Sequence, residues 1–67
     1  MKKTTLKNLK RGEWFTLKEI EYPTENQVFI KGDYERSNKK YSCGKFSDIS
    51  YERFIKGSTT VYTDFIF

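Results

Sequence analysis

Residues 27–46, QVFIKGDYERSNKKYSCGKF, decide the fold. Apolar and polar side chains alternate in both halves of this stretch, with the period of two that a β-strand requires. The polar residues 37–39 between the halves are typical of a turn. We therefore predict a long antiparallel hairpin with strands at 27–36 and 40–46. Gly32 interrupts the first strand, which predicts a bend or a β-bulge at that position.

Three more strands are predicted outside the hairpin. Residues 13–21 open with alternation, residues 53–56 form a short strand, and residues 59–67 form a last strand rich in β-branched and aromatic residues. A tight turn at 57–58 would join the last two strands as a hairpin. In residues 47–52, a serine and an aspartate that could cap a helix predict one short helical turn before that hairpin. Residues 1–12 form a polar lead-in, in which a short turn or 3₁₀ segment would pack Leu6 and Leu9 against a sheet edge.

About five short antiparallel strands in 67 residues predict a mostly β chain. We expect a single small domain over residues 1–67, curled into an SH3-like barrel, because curling protects exposed strand edges. An open curled sheet and a small oligonucleotide-binding-type barrel are the alternatives. The predicted core is the set of apolar residues that the alternation turns inward: Phe15, Leu17, Val28, Ile30, Phe46, Ile49, Phe54, Val61 and Phe65.

The composition argues against catalysis. The chain has no histidine, so histidine-dependent acid–base pairs and nucleophilic triads are excluded. Its one cysteine, Cys43, has no histidine to activate it, and the strand pattern predicts that its side chain is buried or half-buried. The four glycines are scattered singly, which is unlike a phosphate-binding loop. We predict that the protein is not an enzyme and holds no cofactor and no metal.

Charge and hydropathy limit the partners and the compartment. Thirteen Lys and Arg residues against nine Asp and Glu residues give a formal charge of +4, a modest excess that favours an acidic partner. No stretch approaches the ~20 apolar residues that span a bilayer, so no membrane partner is expected. A single unpaired cysteine favours the cytoplasm. The apolar last strand also allows a weak homodimer beside the monomer.

A protein partner is the first functional hypothesis. Trp14 begins the first strand on the face opposite Phe15, so a buried Phe15 would leave Trp14 partly exposed. An exposed tryptophan near tyrosines has the composition of a binding hot spot. The candidate protein-binding residues are Trp14, Tyr22 and Tyr62.

Single-stranded nucleic acid is the alternative partner. Proteins that bind single strands offer aromatic rings to the bases and Lys or Arg to the phosphates, and the hairpin carries both residue types. Asp33 and Glu35 interrupt its basic face, which places this hypothesis second. The candidate nucleic-acid-binding residues are Phe29, Lys31, Tyr34, Arg36, Lys39, Lys40, Tyr41 and Lys45.

Two segments carry a resemblance to known proteins. Residues 6–15 have the form L-x-x-L-K-x-G-E-x-F, and residues 61–65 read VYTDF. Together they resemble small uncharacterised proteins encoded in prophages and mobile elements of Gram-positive bacteria, over most of the chain. The resemblance implies a compact β fold and a bacterial or phage setting. It implies no activity and carries over no functional residue.

Overall fold

The computed structural model describes residues 1–67, apart from the side chain of Ile49, so the prediction that Ile49 belongs to the core lies outside the described residues. Within the described chain, six strands and two 3₁₀ helices are formed. The strands are β1 (Lys2–Thr5), β2 (Trp14–Phe15), β3 (Phe29–Glu35), β4 (Lys40–Lys45), β5 (Asp48–Ile55) and β6 (Thr60–Thr63), and the 3₁₀ helices span Leu6–Asn8 and Glu25–Gln27.

All strand pairs are antiparallel, and they form two sheets. The larger sheet has the order β2-β3-β4-β5, and the smaller one pairs β1 with β6. The prediction of a mostly β, antiparallel fold is confirmed. The described strands number six rather than five and form two sheets rather than a closed barrel, so the SH3-like comparison stays a prediction. No helix in the described chain is long and apolar enough to cross a membrane.

The central hairpin forms as predicted. β3 and β4 pair from Phe29↔Lys45 to Glu35↔Lys40, and the register shifts between Lys31 and Tyr34, which confirms the irregularity at Gly32. A side chain at Gly32 would overlap the carbonyl oxygen of Ser42 on the neighbouring strand. Glycine therefore lets the two backbones approach closely where β3 bulges.

The segment after the hairpin contradicts the prediction of a helical turn. Residues 48–55 form β5, which pairs with β4 from Lys45↔Asp48 to Tyr41↔Ile55. The Asp48 carboxylate accepts hydrogen bonds from the Ser50 backbone N–H (3.0 Å) and hydroxyl (2.7 Å) while both residues lie in β5, so these bonds form within the strand and do not cap a helix. A single helical turn has little stability of its own, whereas the strand pairs with β4 along most of its length, with one irregularity between Cys43 and Lys45.

The predicted last hairpin is also wrong. β6 does not pair with β5; it pairs with β1 at the other end of the chain, from Lys2↔Thr63 to Thr5↔Thr60. Residues 2–5 of the polar lead-in are therefore a strand, and the 3₁₀ helix after it buries Leu6 as predicted. A bridge between Thr16 and Tyr62 joins the smaller sheet to the segment after β2.

The buried core confirms part of the predicted set. Phe15, Val28 and Val61 are buried as predicted, and so is Cys43. Leu17, Ile30, Phe46 and Phe65 are only half-buried, and Phe54 is exposed. The complete apolar core of the described residues is Leu6, Leu9, Phe15, Val28, Phe29, Cys43, Ile55 and Val61.

The inward face of β3 is the opposite of the predicted one. Phe15 pairs with Phe29 across the β2–β3 ladder, so both point to the same side, and their rings stack with centroids 5.7 Å apart. Lys31 follows Phe29 on that inward face and is only 5% exposed. Because side chains alternate, this register turns Ile30 outward together with its partner Trp14.

Candidate functional site

Three aromatic rings meet on the outward face of the larger sheet, next to the end of the chain. Trp14 contacts Phe46 at 5.1 Å and Phe67 at 5.5 Å between ring centroids, and Phe46 and Phe67 lie 4.9 Å apart. All three pairs pack edge to face, which is a favoured geometry for aromatic rings. We call Trp14, Phe46 and Phe67 the aromatic cluster.

Backbone contacts hold the members of the aromatic cluster in place. The β2–β3 ladder fixes Trp14 opposite Ile30, and the Phe46 N–H donates to the carbonyl of Val28 at 2.9 Å. The Ile66 N–H donates to the carbonyl of Glu21 at 2.9 Å, which anchors the residues before Phe67. The cluster nevertheless stays open to solvent, with Trp14 44% and Phe67 48% exposed.

A shallow groove of about 550 Å³ begins beside the aromatic cluster and crosses β3, β4 and β5. Its lining combines the apolar residues Ile30 and Phe46 next to the cluster, small residues on β3 and β4, and charged residues that include Lys45 and, on β5, Glu52. We call it the sheet groove. A Cβ atom at Gly44 would meet only the Tyr51 carbonyl oxygen, at an ordinary contact distance of 3.8 Å. Packing within the chain therefore leaves room for a side chain at this position.

The candidate protein-binding residues do not form one surface. Trp14 is exposed as predicted, and Tyr22 is exposed on the loop after β2. Tyr62 is half-buried on β6, opposite Lys3 and bridged to Thr16. Among the described rings, neither Tyr22 nor Tyr62 contacts Trp14; its partners are Phe46 and Phe67. Local sequence carries no signal for those two partners, because they are 32 and 53 residues away from Trp14.

A second groove, of about 650 Å³, lies at the distal end of the β3–β4 hairpin. It combines residues of the hairpin, the first 3₁₀ helix and the turn before β6, and its main side chains are Lys7, Lys39, Lys56, Tyr34 and Tyr41. We call it the basic groove. The Lys7 N–H donates to the Gly57 carbonyl at 3.0 Å, and a Cβ atom at Gly57 would lie 3.0 Å from the Tyr41 ring. These contacts bring the three segments together.

The candidate nucleic-acid-binding residues divide into three groups. Tyr34, Lys39 and Tyr41 line the basic groove, and Arg36 is exposed in the hairpin turn beside it. Phe29 and Lys31 are buried, so neither side chain is available to a base or a phosphate, which corrects that part of the prediction. The remaining two residues, Lys40 and Lys45, are half-buried and lie outside the basic groove.

Lys45 interacts with aromatic rings instead of forming part of a basic surface. Its Nζ atom lies 4.8 Å from the centroid of Tyr51 and 6.0 Å from that of Phe29. The sequence hypothesis included neither Lys7 nor Lys56 among the candidate nucleic-acid-binding residues. Only the turn that brings residues 56–58 against the first 3₁₀ helix reveals that these two lysines share a groove.

The described residues contain no group of three or more His, Cys, Asp or Glu side chains that could hold a metal ion. Burial raises the pKa of the Cys43 thiol, with Gly32 and Lys31 acting in the opposite direction, so the thiol is held in its less reactive neutral form.

Comparison with protein families, with characterised proteins and with solved structures finds no match to this chain. The resemblance to prophage and mobile-element proteins therefore stays a prediction.

Proposed function

We propose that this chain is a small non-enzymatic binding module and that the aromatic cluster anchors an extended segment of a protein partner. The observation that carries the proposal is the position of Trp14, 44% exposed and supported edge to face by two rings, at one end of an open groove. Tryptophan held rigidly at a surface provides a large contact area at a low entropic cost and is enriched at binding hot spots.

The sheet groove supports an extended partner segment. Gly44 leaves the floor of the groove open. Packing within the chain does not require a glycine at this position. A glycine in a strand is often found where another backbone approaches closely. An apolar side chain of the partner would pack on Trp14 and Phe46. A basic side chain farther along would meet Glu52, which accepts a hydrogen bond from Ser42 (2.6 Å) and has no cationic partner among the described residues.

The test is selection of peptides from a random display library on the immobilised protein. The enriched peptides are then labelled, and their affinity for the protein is measured by fluorescence anisotropy. We expect enriched peptides with an apolar residue followed by a basic one. Trp14→Ala should weaken their binding by ~2 kcal/mol, or about 30-fold, as loss of a hot-spot residue does. Gly44→Val should also weaken binding, because its side chain fills the groove.

Tyr22→Ala is the matched control, because Tyr22 is an exposed aromatic residue outside the aromatic cluster. It should leave peptide affinity unchanged. Circular dichroism would establish that each variant is folded. Failure to enrich any peptide, or equal binding to the wild type and to Trp14→Ala, would reject the proposed site.

A further inference from the structure

The basic groove carries an inference that is independent of the aromatic cluster. Its three lysines come from parts of the chain that are far apart in sequence: Lys7 from the first 3₁₀ helix, Lys39 from the hairpin turn and Lys56 from the turn before β6. A flexible polyanion lying in the groove would contact positive charge from all three segments.

No carboxylate partner offsets these charges within the described residues. The groove has no acidic residue in its lining, and the ion pair that the described residues form joins Arg11 to Asp33 at 3.1 Å, away from the groove. The other acidic residue of β3, Glu35, accepts a hydrogen bond from Ser37 at 3.0 Å. Asp33 is therefore paired with Arg11, and neither acidic residue of β3 lines the groove, so the three ammonium groups are available to an anion.

An aromatic pair lies beside these lysines. Tyr34 and Tyr41 are opposite each other on β3 and β4, and their rings pack edge to face with centroids 5.0 Å apart. Tyr34 is 50% exposed, so part of its ring is open to a ligand. Tyr41 is fixed from the interior, where the Lys31 Nζ atom lies 4.2 Å from its ring centroid. The pair thus offers a supported aromatic surface that needs little ordering on binding.

We propose that the basic groove binds single-stranded nucleic acid, with one base stacked on Tyr34 and the adjoining phosphates held by Lys7, Lys39 and Lys56. Stacking requires an unpaired base, which a duplex does not offer. An anionic lipid headgroup carries no ring that could stack on Tyr34, which favours a single-stranded nucleic acid over a lipid surface.

The experiment is an anisotropy titration of the full chain with fluorescein-labelled oligo-dT and oligo-U of about 12 nucleotides, a size within the range that small sheet domains cover. Titrations at about 20 mM and about 150 mM salt would measure the counterion release. We expect saturable binding that weakens with salt, with a slope of log K against log salt near −2 for about three phosphate contacts.

Two sets of matched variants test the assignment. Lys7→Gln and Lys56→Gln should each reduce the slope by about 0.7, whereas Lys18→Gln, which removes an exposed lysine outside the groove, should leave it unchanged. Tyr34→Ala should weaken binding about 5- to 150-fold through loss of stacking, and Tyr34→Phe should bind like the wild type. Circular dichroism spectra matching the wild type would establish that the variants are folded.

The outcomes separate this proposal from its alternatives. Binding that is lost with Tyr34→Ala and kept with Tyr34→Phe supports it. Absence of binding at low salt overturns it, as does equal weakening by Lys7→Gln and Lys18→Gln. Preference for a duplex of the same length, or for vesicles of phosphatidylserine and phosphatidylcholine, also overturns it. Trp14→Ala should leave oligonucleotide affinity unchanged, so this result and that of the peptide selection are independent.

Discussion

Lys31 lies on the inward face of β3, where its ammonium group is removed from water. Its Nζ atom donates a hydrogen bond to the carbonyl of Leu9 and lies over the ring of Tyr41. Burial lowers the pKa of the Lys31 side chain below its ordinary value of 10.5, while Cys43 and Glu13 act in the opposite direction. Burial of the charged form of Lys31 therefore costs free energy.

This lowered pKa predicts a dependence of stability on pH. Below the pKa in the folded state, Lys31 is protonated in both the folded and the unfolded chain, and the folded state bears the full cost of burial. As pH rises from that folded pKa towards 10.5, the folded state releases the proton first, so the free energy of unfolding should increase.

The measurement is urea denaturation of the wild type and of Lys31→Met at intervals from neutral to alkaline pH. The difference in the free energy of unfolding between the two proteins should shift in favour of the wild type as pH rises. The comparison is needed because Cys43 has the opposite effect: its raised pKa means that the unfolded thiol ionises first above 9.0, which lowers stability. Parallel pH profiles for the two proteins would contradict the prediction.

At the scale of elements, the central hairpin contains two glycines with different structural roles. Gly32 lies in the β3 bulge, where a Cβ atom would overlap the Ser42 carbonyl oxygen. Gly44 lies in β4, where a Cβ atom would meet only the Tyr51 carbonyl oxygen at 3.8 Å. Strand packing thus requires a glycine at the first position and leaves the second free.

The two alanine substitutions should therefore have different effects. Gly32→Ala should lower the free energy of unfolding by about 1–3 kcal/mol, because the backbones of β3 and β4 must separate. Gly44→Ala should leave the free energy of unfolding unchanged or raise it by up to about 1 kcal/mol, because alanine restricts the unfolded chain more than glycine does. Urea denaturation of both variants makes the comparison, and equal losses would show that the free space at Gly44 has been misjudged.

The alternation in residues 27–46 was enough to predict the hairpin, its turn and the irregularity at Gly32, because all three are local properties of the chain. The same alternation did not reveal which face of β3 points inward. Phe29 and Ile30 are both apolar, and the choice depends on pairing with β2, where Phe15 contributes the inward ring. A shift of one residue exchanges the two faces, and nothing within the hairpin specifies that shift.

At the scale of the whole molecule, the two ends of the chain meet in the smaller sheet. β1 pairs with β6 over four residues, and Thr4 lies opposite Val61, one of the fully buried core residues. The Leu6 N–H continues this contact by donating to the Thr59 carbonyl at 3.0 Å. The first residues are thus part of the fold, although their composition is that of a solvated arm.

Deletion of residues 1–5 should therefore destabilise the entire protein. It removes the strand that pairs with β6 and uncovers Val61, and a domain of this size has only a few kcal/mol of stability to lose. Thermal unfolding followed by circular dichroism should show a large fall in Tm or no cooperative transition. The double variant Lys2→Gln, Lys3→Gln is the control, because it removes the charges and keeps the strand. An unchanged Tm after the deletion would mean that β1 contributes little to the fold.

Composition and local pattern were sufficient for the β class, the central hairpin, the buried Cys43 and the exposure of Trp14, since each depends on neighbouring residues or on residue type. They were not sufficient for the β1–β6 pairing, for the strand at 48–55 or for the two grooves. Lys7 and Lys56 line one groove, and Trp14 contacts Phe46 and Phe67, only because the backbone brings distant segments together. Such contacts are decided by the burial of a shared core and by pairing between distant strands, and these depend on the whole chain at once.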